Sequence, residues 1–180
     1  MNNKGFTILE VMASISIFMV VVLLVADLLN NTVVFSSERS NLAELIQNSR
    51  VAIDRISREV RQANELITEI ATTTPSNEIM FQDGHDLSQI SYIKYYLNNS
   101  TLYRDNILYY FPLDPSIYVY YDDVDVFNNS PTSTSSTQMI GEYFDDLDIT
   151  KSDGLLELQL SLSKNNETFQ VGTNIFIRNW

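Results

Sequence analysis

Residues Phe6 to Ala26 are apolar at every position except Thr7, Glu10, Ser14 and Ser16, and no other stretch constrains the chain so strongly. At about 1.5 Å of rise per residue these residues make a helix about 31 Å long, matching a bilayer hydrocarbon core of about 30 Å. The run therefore predicts one membrane-spanning helix over 6–27. Lys4 precedes it, while Asp27 and Glu38 follow it. The bias of positive charge towards the cytoplasm places the short N-terminus inside and everything after Asp27 outside the cytoplasmic membrane.

Hydropathy alone fits either a cleaved secretory signal or a plain signal anchor. Glu10 suits neither. A carboxylate at the centre of a membrane helix costs about 2.5–3.5 kcal/mol on insertion scales, so an intramembrane acid points to function by default. Its place near one end of the run lowers that cost.

The octapeptide Lys4-Gly5-Phe6-Thr7-Ile8-Leu9-Glu10-Val11 resembles the processing and assembly motif of type IV prepilins. The resemblance implies a leader peptide of residues 1–5, cut by a prepilin peptidase between Gly5 and Phe6. It also implies N-methylation of the new Phe6 amine and a role in subunit assembly for Glu10. A carboxylate and a terminal amine held in a lipid-like interior stabilise each other only where they meet, so pairing across neighbouring subunits would set their register. Ile8 stands where such motifs more often carry leucine, a conservative departure. Family members at the extreme tip of a fibre often lack the glutamate, so Glu10 argues against that position.

The helix predicted for the membrane has no visible stop at its outer edge. No proline occurs before Pro75 and no glycine between Gly5 and Gly84, which extends the predicted helix as an amphipathic segment over 28–71. Leu42, Leu45, Ile46, Ser49, Ile53, Ile56, Val60, Ala63 and Ile67 recur at intervals of three and four and make one face that packs under a sheet. Glu44, Arg50, Asp54, Arg55, Arg58, Glu59 and Arg61 occupy the opposite face, where Asp54 and Arg58 have the favourable acid-first spacing. Arg50, Arg55, Arg58 and Arg61 are also candidates for meeting an acidic patch on a neighbouring subunit.

Beyond Thr72-Thr73-Thr74-Pro75 the pattern changes to short runs rich in isoleucine, tyrosine and phenylalanine, which predict strands in an extracytoplasmic head spanning 72–180. The first group is Ile79-Met80-Phe81, Ile90 to Leu97, Leu102-Tyr103-Arg104, Ile107 to Phe111 and Ile117 to Tyr121, with Asn98-Asn99 as a turn. Residues 128–138, rich in serine and threonine and without an apolar anchor, predict a flexible surface loop. Leu147-Asp148-Ile149, Leu156 to Leu162 and Phe169 to Ile177 then alternate as half-buried antiparallel strands, with Asn165-Asn166 turning the last hairpin. The tyrosine-bearing strand, Leu102-Tyr103-Arg104 and the closing Ile175-Phe176-Ile177-Arg178-Asn179 are similar to the J-type minor pseudopilins and related minor pilins. The expected fold class is α+β, a long N-terminal helix packed against antiparallel sheet.

Charge and composition exclude other classes. From residue 71 onward 15 acids face five basic residues, a net charge of −10, and an acidic body repels nucleic-acid phosphates. There is no cysteine, so thiol catalysis and cysteine-ligated zinc are ruled out. Gly84-His85-Asp86 holds the one histidine, in a polar turn, and no nucleophile has a base at motif spacing. No catalytic residue, cofactor or resident metal is expected. Asp122-Asp123-Asp125 and Asp145-Asp146-Asp148 match no calcium-loop pattern and read as solvated carboxylates. The resemblance implies other pilins or pseudopilins, the prepilin peptidase, an inner-membrane assembly platform with its ATPase, and membrane lipid as partners. A membrane-anchored extracytoplasmic binding module that joins no fibre is the alternative.

Overall fold

The computed structural model describes residues 7–71, 74–85, 89–152 and 155–176, with residues 33 and 34 described by their backbone alone. The chain divides into two compact units, Met1–Asn41 and Leu42–Trp180. Helix α1, Ile8–Gln62, belongs to both.

Among the described residues α1 is the sole element of the first unit. Leu9, Phe18 and Leu23 are 78%, 68% and 70% exposed, and none of the most apolar 18-residue window is buried, although its mean hydropathy is 2.7. Such a surface is unfavourable in water and compatible with lipid. The hydroxyls in this stretch are satisfied locally. Ser14 Oγ donates to the Glu10 carbonyl at 2.7 Å and Ser16 Oγ to that of Met12 at 2.9 Å, so neither presents an unpaired donor to a hydrocarbon surface.

The second unit contains the core. Among the described residues nine strands follow α1: β1 (Glu65–Leu66), β2 (Glu78–Gln82), β3 (Tyr92–Asn98), β4 (Thr101–Phe111), β5 (Asp114–Val119), β6 (Thr132–Glu142), β7 (Phe144–Ser152), β8 (Leu155–Lys164) and β9 (Glu167–Phe176). The first six form one antiparallel sheet in the order β1-β2-β3-β4-β5, with β6 pairing β4 along its other edge. The last three form a second antiparallel sheet, β7-β8-β9. Ser76, just before β2, exchanges two backbone hydrogen bonds with Ile149 of β7 and ties the sheets together. Leu45, Ala52, Ile56 and Val60 of α1 meet Ile79, Phe81, Ile93 and Tyr95 from the first sheet and Leu147, Ile149, Leu156, Leu158, Leu160 and Ile175 from the second in one buried cluster. The α+β class read from the sequence is the observed one.

Local patterning explains most of these elements. In β8 the four leucines 156, 158, 160 and 162 are all buried while Glu157 and Gln159 face out, the period of two that a half-buried strand requires. Asn165 adopts a positive φ of 56° and turns β8 into β9, as expected of asparagine. The β3–β4 hairpin turns on Asn99 and Ser100, both at positive φ, one position beyond the predicted Asn98-Asn99.

Four expectations are corrected. The helix predicted to 71 ends at Gln62, because the chain leaves the helical path to pair with β2. Asn64 N donates to Gln82 O, and Ile67 N and Thr68 N both donate to Met80 O. These long-range bonds replace helical ones, which requires neither glycine nor proline, and Ile67 therefore joins no helical stripe. The buried stripe of the helix is Leu45, Ser49, Ala52, Ile56 and Val60, flanked by half-buried Ile53 and followed by Ala63 just past the helix end, whereas Leu42 and Ile46 are exposed. The two runs Leu102–Arg104 and Ile107–Phe111 are one strand, β4, because Asp105 and Asn106 are paired on both sides, with Lys94 and Ile93 of β3 and with Thr137 and Ser136 of β6.

The fourth correction concerns the Ser/Thr-rich segment 128–138, expected as a flexible loop. From Thr132 it is β6, one of the two longest strands, paired with β4 from Thr101 to Tyr110. Residues 132–139 are exposed, so this part of the strand is held by its backbone ladder and needs no apolar anchor; Ile140 and Gly141 fix its far end in the core region. Threonine is also a favourable strand residue.

Candidate assembly site

The sequence singles out Gly5, Phe6 and Glu10. Gly5 and Phe6 lie outside the described residues. Glu10 occupies the first turn of α1. There it forms a reciprocal cap with Thr7: Thr7 N donates to Glu10 Oε2 at 3.0 Å, Thr7 Oγ1 to the same oxygen at 3.1 Å, and Glu10 N to Thr7 Oγ1 at 3.3 Å. This is the Thr-x-x-Glu capping box, which satisfies helix-terminal donors that a lipid environment leaves otherwise unpaired. The three-residue spacing is legible in Thr7-Ile8-Leu9-Glu10, yet the contact expected of Glu10 from the sequence lies between subunits, and the partner found is within the chain. Glu10 therefore holds the helix start while its carboxylate remains exposed to any neighbour, and an acid near a helix N-terminus is also favoured by the helix dipole.

The charged face of the amphipathic segment divides in two. Arg55 and Glu59 turn towards the first sheet instead of solvent. Glu59 Oε2 accepts from Tyr95 Oη at 2.7 Å and from Arg104 Nε at 2.9 Å; its Oε1 accepts from Arg55 Nε at 3.3 Å, and Arg55 Nη2 donates to Gln138 of β6 at 2.8 Å. The Glu59 and Arg104 side chains retain only 17% and 16% exposure, so α1 is joined to β3, β4 and β6 by one half-buried polar network. Burial, and then the adjacent Glu59 carboxylate, hold the Tyr95 phenol well above its ordinary pKa. Arg50, Arg58 and Arg61 stay exposed. Along the helix Arg55 pairs with Glu59; Asp54 and Arg58, four residues apart as well, are both exposed. Closer to the membrane segment, Glu44 pairs with Lys164, whose ammonium also lies 4.4 Å from the Tyr143 ring centroid. The Glu44 contact, followed by the Tyr143 contact, raises the Lys164 pKa.

The remaining candidates are placed as follows. His85 is exposed, with its backbone N–H donating to Asp83 Oδ1, while Asp86 lies outside the described residues. Asp123 accepts from Tyr120 N, and Asp125 accepts from Phe127 N, Asn129 N and Asn129 Nδ2, so these carboxylates organise the loop between β5 and β6. The Asn129 bonds hold the Asp125 carboxyl below its usual range. Asp145 accepts from Ser163 Oγ, and burial together with Asp146 raises the Asp148 pKa. Among the described residues no three histidine or carboxylate side chains converge as metal ligands.

A family model described as the prokaryotic N-terminal methylation motif matches residues 1–26. No curated protein and no solved structure gives a significant match to the chain. The motif supports a type IV pilin-like protein that a prepilin peptidase processes, and the long apolar helix fits membrane anchorage of such a protein.

Proposed function

We propose that the chain is a structural subunit that initiates or joins a type IV pilus or a type II secretion-like fibre. The observation carrying this reading is the methylation motif at residues 1–26 followed by an apolar, uncovered helix that begins with Thr7 and Glu10. In this reading the peptidase cuts between Gly5 and Phe6 and methylates Phe6. The subunit is held in the cytoplasmic membrane by a single pass, with its head outside, until an assembly platform and its ATPase extract it into the fibre. Glu10 keeps the helix start intact in the membrane and meets a neighbour's terminal amine on assembly, since both charges then lose water together. A non-catalytic, low-copy minor subunit is the finer reading, supported by the sheet-rich head and its likeness to J-type proteins.

Mass spectrometry of the protein recovered from its native host tests the proposal. A chain beginning at methylated Phe6 supports it. An intact Met1, or cleavage near Ala26, refutes it and leaves an anchored or secreted binding module.

A further inference from the structure

Two long strands of the head lie at the edges of their sheets, β6 with one register irregularity at Ile140 near its end and β9 with a regular ladder. Among the described residues β6 pairs only with β4, and β9 only with β8. From Thr132 to Gly141 β6 contains no charged residue and no proline, and from Thr168 to Phe176 the same is true of β9. The other ends are blunted: β1 has two residues and begins with Glu65, β5 begins with Asp114-Pro115, and β7 is bridged by Ser76. Natural sheets guard long edges with lysine, proline, bulges or covering segments, because an open row of N–H and C=O groups recruits another strand. From Thr132 to Thr137 the side chains of β6 are all small hydroxyls and exposed, which lets a second backbone approach closely.

We propose that β6 of one copy pairs with β9 of a second copy, joining the six-stranded sheet of one head to the three-stranded sheet of the next. The occupant is a second copy because this chain carries both halves of the contact, two strands that are uncharged from Thr132 to Gly141 and from Thr168 to Phe176, each with one glutamate at its end. Main-chain hydrogen bonds would supply the affinity, as in other β-augmentation. Two acidic bodies meet with least repulsion along strips that carry no charge. The contact is heterologous: each copy keeps one edge free after using the other, so it forms a pair and leaves one edge of each sheet open. The inference deepens the assembly reading by naming a partner surface, and it does not depend on processing at Gly5.

The absence of native cysteine makes the test direct. Full-length Ser135→Cys is mixed with full-length Gln170→Cys or Asn174→Cys in dilute mild detergent and oxidised, with Asp54→Cys as an exposed control on α1. A β6–β9 disulfide dimer about tenfold above the control is expected, and Ser133→Lys with Ser135 or Thr137 likewise changed to lysine should remove noncovalent dimers at unchanged circular dichroism. Yields equal to the control, or cross-links confined to β6 with β6, overturn the proposal. A failure here with methylated Phe6 still found would sink this contact alone, whereas an intact Met1 with the cross-link present would sink the pilin-like reading alone.

Discussion

Glu59 is expected to matter for the stability of the head more than its place on a charged helical face suggests. Glu59→Ala removes three charge-assisted contacts at once, with Tyr95, Arg104 and Arg55. It leaves the Arg104 guanidinium, 16% exposed, without its carboxylate. Hydrogen bonds to charged groups contribute about 1.5–3 kcal/mol each, and breaking a fully buried ion pair costs about 3–5 kcal/mol. Arg55 keeps its bond to Gln138, and residual solvent access screens the remaining charge, so the expected loss is about 2–4 kcal/mol. Glu59→Gln preserves shape and an acceptor for Tyr95 and should lose about 1–2 kcal/mol. Urea unfolding of the full chain in mild detergent, followed by tyrosine near-ultraviolet circular dichroism, measures both. A double-mutant cycle with Arg104→Ala should give a coupling of about 1–2 kcal/mol. A Glu59→Ala loss below about 0.5 kcal/mol would place the network among surface ion pairs and refute the reasoning.

Other consequences follow from single contacts. A Cβ at Gly84 would sit 2.0 Å from the Gln62 carbonyl oxygen at the end of α1, so Gly84→Ala should destabilise the head by at least about 2 kcal/mol, and a neutral urea midpoint would contradict that packing. Leu160→Ala opens a void at a fully buried position and should cost about 2–5 kcal/mol in the same assay. Burial pushes the Tyr92 phenol from 10.0 up to about 12 and raises that of Tyr95 too, so both bind their protons more tightly when folded. The stability associated with them is complete below pH 10.0 and declines as pH rises towards about 12; a midpoint that climbs across this interval would contradict the burial argument. Under the proposed function, Glu10→Gln should leave membrane insertion intact and sharply reduce fibre incorporation, read by fractionation of the host envelope.

What the sequence determined alone was local. The apolar run predicts a helix suited to a bilayer because its composition and length suffice, whatever surrounds it. The alternation of Leu156, Leu158, Leu160 and Leu162 announces a half-buried strand, and Asn165-Asn166 announces its turn, because neighbouring residues decide both. Thr7 and Glu10 carried a capping signal in their spacing as well. Tertiary structure decided whatever depended on distant partners. The end of α1 at Gln62 is set by Met80 and Gln82, the inward turn of Arg55 and Glu59 by Tyr95, Arg104 and Gln138, and the strand at Thr132–Glu142 by β4. In each case a backbone or charged group has several locally acceptable conformations, and the selected one satisfies hydrogen bonds to residues far away in the chain.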